Sequence, residues 1–109
     1  MTQHSWKTAF WTFIHTLALQ PMIHHGNQAD ICRAFESLEH LIPCSQYKSH
    51  FVEFKNMNDI VTYMQEDEYM GVFKWTVDLH NMINREMGAP TLSYKEALSV
   101  WTGDAMMEP

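Results

Sequence analysis

Apolar residues recur at three- and four-residue steps along much of the chain, which is the spacing of amphipathic α-helices. The clearest stretch is KWTVDLHNMINREMG at positions 74–88. It places one apolar face on a helix, formed by Trp75, Leu79, Met82, Ile83 and Met87. Gly88 and Pro90 are expected to end this helix, which begins at Lys74 or as early as Asp67.

The same spacing predicts further helices over 5–19, 28–42, 44–54 and 91–101, with a loop and a short helix between 56 and 67. Pro21 and Pro43 are expected to end the first two of them, and Ser93 and Glu96 have the spacing of a capping box. No stretch alternates cleanly between apolar and polar residues, so no strand is predicted. We therefore expect a single all-α domain over 1–109, a small bundle of about five helices with a frayed tail from about residue 103.

A polar triplet interrupts the central helix. His80, Asn81 and Asn84 lie on the same or adjacent turns, so their side chains converge. A buried imidazole or amide without a partner costs about 1–3 kcal/mol. The triplet therefore predicts either a mutual hydrogen-bond network or a bound ligand.

The first predicted helix carries a related pair, because Trp11 and His15 are four residues apart and share a face. A single histidine of this kind is more often a packed residue bonded to a backbone carbonyl. Two helices that each offer an aromatic ring and an imidazole instead describe a slot that stacks a flat ring and hydrogen-bonds its edge.

The two cysteines differ in setting. Cys44 follows Pro43 at the first turn of a predicted helix, where unpaired backbone N–H groups stabilise a thiolate. Cys32 lies in the middle of a helix and is expected to be buried and inert. Along a continuous helix the two would be separated by about 18 Å, so no disulfide between them is predicted.

Composition narrows the possible functions. The 109 residues are 46% hydrophobic, and the net charge of −6 argues against a nucleic-acid partner, which requires a basic face. No apolar run is long enough to span a membrane and no signal peptide is visible, so the sequence predicts a soluble intracellular protein without a membrane partner. Seven histidines raise the possibility of a metal site, but none has the spacing of a His-x-x-x-His or Glu-x-x-His pair, and no metal is predicted.

Several of these motifs occur together in one known family. They are Trp6, the run Trp11-Thr-Phe-Ile-His15, Pro43-Cys44, Trp75 ahead of His80-Asn81-Met-Ile-Asn84-Arg85, the run Met87-Gly88-Ala89-Pro90, and Trp101. In this order the chain resembles the FAD-linked sulfhydryl oxidases of the Erv/ALR type, including their short viral members, from Trp6 to Trp101.

The resemblance implies a four-helix bundle plus a short fifth helix, with FAD at the mouth of the bundle and usually a homodimer. It implies that six residues surround the flavin and its adenine: Trp11, His15, His80, Asn81, Asn84 and Trp101. It also implies that a redox Cys-x-x-Cys passes electrons from thiol substrates through flavin to molecular oxygen. By analogy with the viral members, the protein would be virus-encoded and act in the host cytoplasm.

The redox motif departs from the family pattern, because the chain reads Cys44-Ser-Gln-Tyr47 where the family has Cys-x-x-Cys. The missing cysteine is the one next to the flavin. A tyrosine does not exchange with a disulfide, so Cys44 alone forms only mixed or intermolecular disulfides. Cys44 and Tyr47 are the predicted catalytic residues, and Tyr47 is able to stack on the ring or donate its hydroxyl to a substrate.

Two cations expected near the FAD phosphates are also absent. Lys7-Thr8 replaces a Gly-Arg of the family, and Ala89 replaces a lysine. Lys7, Arg85 or Lys95 are candidates to substitute, and we include Thr8 and Arg85 among the predicted cofactor-binding residues.

Three hypotheses remain open from the sequence. The first is a thiol oxidase-like FAD enzyme that uses Cys44. The second is a flavin-dependent oxidase or decarboxylase of a non-thiol small substrate on the same fold. The third is a dimeric module that keeps flavin only for structure.

Overall fold

The computed structural model of the protein describes residues 3–19 and 28–103, and these residues form an all-α domain without strands. The all-α prediction is confirmed. The described helices are α1 (Gln3–Ala18), α2 (Gln28–Ser37), α3 (Ser45–Met57), α4 (Ile60–Glu66), α5 (Gly71–Glu86) and α6 (Tyr94–Leu98). A 3₁₀ turn, Leu38–Leu41, extends α2, and a π-helical turn, Ser99–Gly103, follows α6.

The helix boundaries differ from the predicted ones where the chain changes direction. The helix predicted over 28–42 leaves α-geometry after Ser37, and Ile42 is extended with φ −76° and ψ 121°. The residue before a proline is disfavoured in the helical region, and Pro43 follows Ile42. The predicted helix end at Pro21 and the predicted frayed tail beyond residue 103 lie outside the described residues.

Helix α5 runs through the core and is held there by Trp75, which is 1% exposed. Its ring packs against three phenylalanines of α2 and α3, with centroid distances of 6.0 Å to Phe35, 6.1 Å to Phe51 and 5.4 Å to Phe54. Its indole N–H donates to the carbonyl of Asn58 at 2.8 Å. The tryptophan therefore fixes α5 against two helices with no unpaired polar atom.

The end of α5 is a Schellman motif. Gly88 has φ +74°, which is readily accessible to glycine, and the N–H of Ala89 reaches back to the carbonyl of Asn84 at 2.7 Å. The N–H of Gly88 donates to Arg85 O at 3.3 Å. This reversal turns the following segment back along α5.

Among the described residues, no helix is both long and apolar enough to cross a membrane.

Gly71, the first residue of α5, lies against α4. A Cβ built on it would overlap the carbonyl oxygen of Tyr63 and lie 2.9 Å from the Cα of Met64. Both obstacles are backbone atoms, which cannot rotate away as a flexible side chain would. Glycine at this position lets the two helices approach closely.

We expect Gly71→Ala to lower the free energy of unfolding by about 1–3 kcal/mol, because the new methyl group forces α4 and α5 apart. Urea denaturation measures the change. Asn56→Ala, at an exposed position of α3, is the matched control and should leave stability nearly unchanged. Equal midpoints for both variants would contradict the close approach of the two helices.

Candidate functional site

Two imidazoles from different helices meet inside the domain. His15 of α1 is 1% exposed, and its Nε2 lies 3.1 Å from Nδ1 of His80 on α5. The other nitrogen of His15 lies 3.0 Å from the hydroxyl of Thr76, which is fully buried. The sequence predicted a slot for a flat ring between the helices that carry these two histidines, whereas the structure places the imidazoles in direct contact with each other.

Two tryptophans flank the imidazole pair. Trp11 stacks on His80 with ring centroids 3.8 Å apart and planes 4° from parallel. Trp101 lies over His15 at 4.6 Å with a tilt of 32°. The four rings form a continuous aromatic cluster that draws on α1, α5 and the turn after α6.

This aromatic cluster borders a cavity of about 300 Å³. The cavity is lined by Lys7, Thr8, Trp11, Tyr47, His80, Asn84 and Trp101. Five of these were predicted as cofactor-binding and Tyr47 as catalytic. A second, smaller space of about 30 Å³ adjoins His15 and Asn81 as well as His80, Asn84 and Trp101.

Tyr47 occupies the cavity wall as a buried residue with 4% exposure. Its hydroxyl oxygen accepts a 2.6 Å hydrogen bond from the indole N–H of Trp11, and Lys7 Nζ lies 5.3 Å from the centre of its ring. Burial, the largest influence, raises the pKa of Tyr47, so its hydroxyl is protonated at neutral pH. The hydroxyl proton remains available for donation.

Cys44 precedes α3 as its N-cap residue and is half-buried, one helical turn before Tyr47. It is not among the residues that line the cavity. Cys44 and Cys32 are both free thiols, and Cys32 is buried in α2, where its Sγ contacts the sulfur of Met64 at 3.6 Å. The structure agrees with the prediction that they do not pair.

The side chains of both asparagines form hydrogen bonds with the backbone of the segment that follows α5. Asn81 makes two hydrogen bonds with Leu92, donating to its carbonyl at 2.6 Å and accepting from its N–H at 2.9 Å. Asn84 donates to the carbonyl of Pro90 at 3.0 Å. These bonds hold the segment after Gly88 against α5.

Arg85 lies apart from the aromatic cluster. It lines a different cavity of about 410 Å³, together with Glu53, Asp78 and Glu86. Its predicted place near a cofactor stays a prediction. Lys7, by contrast, lines the same cavity as Trp11.

Thr76 is a residue of the site that was not predicted from the sequence. Its hydroxyl donates to the carbonyl of Phe73 at 2.6 Å and contacts His15 from the opposite side to His80. A signal was present, since Thr76 precedes His80 by four residues and so lies on the same face of α5.

Burial keeps both histidines neutral. Desolvation, followed by the charge of His80, lowers the pKa of His15 to about 3, and desolvation lowers the pKa of His80 to about 4. At neutral pH each ring therefore carries one N–H and one lone pair.

No group of three or more metal-ligating His, Cys, Asp or Glu side chains occurs in 3–19 or 28–103. The protein is therefore a small helical domain with a site that combines flat aromatic faces, neutral imidazoles and a hydroxyl donor. Such a site suits a planar ring that forms hydrogen bonds at its edge.

The chain belongs to the Erv1/Alr family, whose sequence profile matches residues 8–102. It is 28% identical over 103 residues to a probable FAD-linked sulfhydryl oxidase of Acanthamoeba polyphaga mimivirus, covering 90% of this chain and 69% of the relative. A putative FAD-linked sulfhydryl oxidase of Invertebrate iridescent virus 6 is 29% identical, with 90% of this chain and 93% of the relative covered.

An FAD-linked sulfhydryl oxidase of Arabidopsis thaliana is 30% identical over 81% of this chain, which spans 45% of that relative. No solved structure matches the chain.

Acidification is expected to destabilise the domain through the two buried histidines. Their pKa values are lowered in the folded state, so the unfolded chain binds more protons once the pH falls below about 6.5. Each histidine then lowers the free energy of unfolding by about 1.4 kcal/mol per pH unit until the pH reaches its pKa in the folded state. Both histidines contribute between about pH 6.5 and pH 4.

Urea denaturation across this window measures the slope. His15→Gln removes one of the titrating groups, so its stability should fall less steeply with acid than that of the native protein. Parallel curves for the two proteins would show that His15 binds protons equally in the folded and unfolded states, so that burial does not lower its pKa.

Proposed function

We propose that the protein is an FAD-dependent oxidoreductase of the sulfhydryl oxidase type. One observation carries the proposal: α1, α3, α5 and the turn after α6 bring Trp11, Trp101, His80 and Tyr47 around one cavity. Relatives named FAD-linked sulfhydryl oxidases, with similarity across 90% of the chain, support the same activity.

The residues present suit a flavin dinucleotide. Small-molecule sites typically measure about 300–1,000 Å³, and this cavity lies at the lower end of that range. Trp11 and His80 are 3.8 Å apart, which leaves no room for a third ring between them. A flat ligand would therefore contact the part of this aromatic surface that lines the cavity rather than enter between the two rings, and the hydroxyls of Tyr47 and Thr8 are available for its edges.

Each residue has a definable part in holding the cofactor. Trp11 and Trp101 offer aromatic faces, and the neutral imidazole of His80 offers one nitrogen for a hydrogen bond. Lys7 places a positive charge at the cavity, where it compensates the phosphates in place of the cations missing from the family pattern. FAD, when bound, supplies a two-electron acceptor that returns its electrons to molecular oxygen.

Cys44 is the thiol that the chain itself contributes to thiol oxidation. A substrate dithiol that becomes a disulfide loses two electrons and two protons. Forming a mixed disulfide between Cys44 and one substrate thiol would release two electrons and two protons, for which bound FAD would be the acceptor. The second substrate thiol would then displace Cys44 by disulfide exchange, which releases the oxidised product and regenerates the Cys44 thiol. Tyr47 occupies the position of a second cysteine, so the chain has no internal disulfide at this site.

A second candidate function follows from Tyr47. Because its oxygen already accepts the Trp11 N–H, the hydroxyl proton is free to donate to a substrate in the cavity. Cys44 does not line that cavity. These two observations support, as the second candidate function, direct oxidation of a small non-thiol substrate on the same fold.

The remaining partners are also proposals. We propose a thiol substrate, oxygen as the acceptor, a homodimer, and a place in the host cytoplasm.

The purified protein is expected to show flavin absorbance, and denaturation should release FAD. Anaerobic dithiothreitol should bleach this absorbance, and oxygen should restore it. Cys44→Ser is expected to slow the bleaching at least tenfold, whereas Tyr47→Phe, which keeps the ring, should slow it little.

The opposite ranking, with flavin reduction unchanged in Cys44→Ser and lost in Tyr47→Phe, would favour oxidation of a non-thiol substrate. A colourless protein that gains no flavin absorbance on mixing with FAD would refute both functions.

Lys7→Ala is expected to weaken FAD binding by about three- to tenfold, because a charge-assisted contact to phosphate is lost. Quenching of flavin fluorescence measures the dissociation constant, and the loss should shrink as salt is added. Lys95→Ala is the matched control, since Lys95 is exposed on α6 and does not line the cavity. Equal effects of the two substitutions on the dissociation constant would show that Lys7 does not contact the phosphates.

A further inference from the structure

The hydrogen-bond chain behind the cavity has a fixed direction. The Thr76 hydroxyl oxygen lies 2.6 Å from the carbonyl oxygen of Phe73, and two oxygens at that distance require a proton between them. A hydroxyl has only one proton to give. Thr76 is therefore an acceptor toward its other neighbour, Nδ1 of His15, at 3.0 Å.

The direction passes from ring to ring. If Nδ1 of His15 carries the proton, its Nε2 is a lone pair, because the ring is neutral. That lone pair accepts from Nδ1 of His80 at 3.1 Å. Nδ1 of His80 then carries the N–H of this second neutral ring, and its Nε2 is left as a lone pair.

The last lone pair is available to a ligand. His80 lines the 300 Å³ cavity and is half-buried, and among the described residues its Nε2 has no hydrogen-bond partner. The amide groups of Asn81 and Asn84 on the same helix are bonded to the backbone of Leu92 and Pro90. A neutral imidazole with this tautomer accepts a hydrogen bond and cannot donate one from Nε2.

We propose that Thr76 acts through His15 to hold His80 with a bare Nε2, so that the cavity selects a flat ring whose edge presents an N–H donor. Thr76 is a positioning residue, and His80 is the group that touches the ligand. The proposal deepens the proposed function and rests on it for the identity of the ligand, because both ring systems of FAD carry N–H donors. The tautomers themselves depend only on this chain.

Thr76→Val tests the proposal, because it nearly preserves the shape and removes the acceptor. Without an acceptor for Nδ1 of His15, the protons move to Nε2 in both rings, and His80 then presents an N–H to the cavity. Thr76→Ser is the matched control, since it keeps the hydroxyl and should keep the native tautomers.

Long-range ¹H–¹⁵N NMR spectra of the imidazoles report the tautomers without any ligand. The native protein and Thr76→Ser should both show His15 and His80 protonated on Nδ1, and Thr76→Val should show them protonated on Nε2. FAD binding should weaken about tenfold in Thr76→Val, because two donors then face each other, and much less in Thr76→Ser.

The outcomes separate this proposal from the proposed function. Protonation of His80 on Nε2 in the native protein would overturn the proposal, even if Thr76→Val failed to fold. Unchanged tautomers in a folded Thr76→Val would also overturn it. If none of the three proteins bound FAD while the tautomers were as expected, the proposed function would fail and the assignment of Thr76 would stand.

Discussion

The contact between His15 and His80 is the interaction on which the site depends. It joins α1 to α5 across 65 positions of sequence, inside a region where an unpaired imidazole nitrogen would be costly. Because each neutral ring has one donor and one acceptor, the contact orients both. With His80 so oriented, Trp11 lies flat against it, and the indole N–H of Trp11 in turn contacts Tyr47 on α3. One line of polar and stacking contacts thus connects three helices and forms the cavity wall.

The two asparagines of α5, Asn81 and Asn84, shape the site by fixing the chain segment that follows α5. In the structure their amides hold Leu92 and Pro90, and Asn84 also lines the cavity, so their predicted role in cofactor binding stays a prediction. This bonding is possible because the Schellman turn at Gly88 reverses the chain along α5. The reversal sets the start of α6 and, beyond it, the position of Trp101 over His15. Substitution of either asparagine would therefore alter the aromatic cluster indirectly, by displacing the backbone that positions Trp101.

Tyr47 stands where the resemblance to the sulfhydryl oxidases implies a second redox cysteine, and it lines the cavity. A thiol able to exchange with a disulfide is absent there, and a buried hydroxyl with a raised pKa is present instead. Cys44 remains one turn away at the helix N-terminus. This arrangement separates the thiol of the chain from the aromatic surface that would carry the cofactor.

Much of the fold could be predicted from spacing alone. The periodicity of apolar residues located five of the six described helices, because a helix that buries one face must repeat its apolar residues every three or four positions. The short helix α4 was expected from a brief apolar run between 56 and 67. The break in the helix predicted over 28–42 was less accessible, since it depends on the extended residue before Pro43 and on how the following turn packs. Side-chain positions were harder to predict. Arg85 follows the histidine motif directly in the sequence, but its side chain lines a different cavity.

The sequence by itself determined that the chain is helical, that Trp11 shares a face with His15, and that no second cysteine stands at position 47. These are local properties, set by residue type and by the 3.6-residue turn. Only the tertiary structure decided that the two imidazoles meet each other, that Thr76 lies behind them, and that the asparagines bind backbone. Those facts depend on how α1, α5 and the segment after Gly88 pack, and packing is settled by the whole core rather than by any one stretch of sequence.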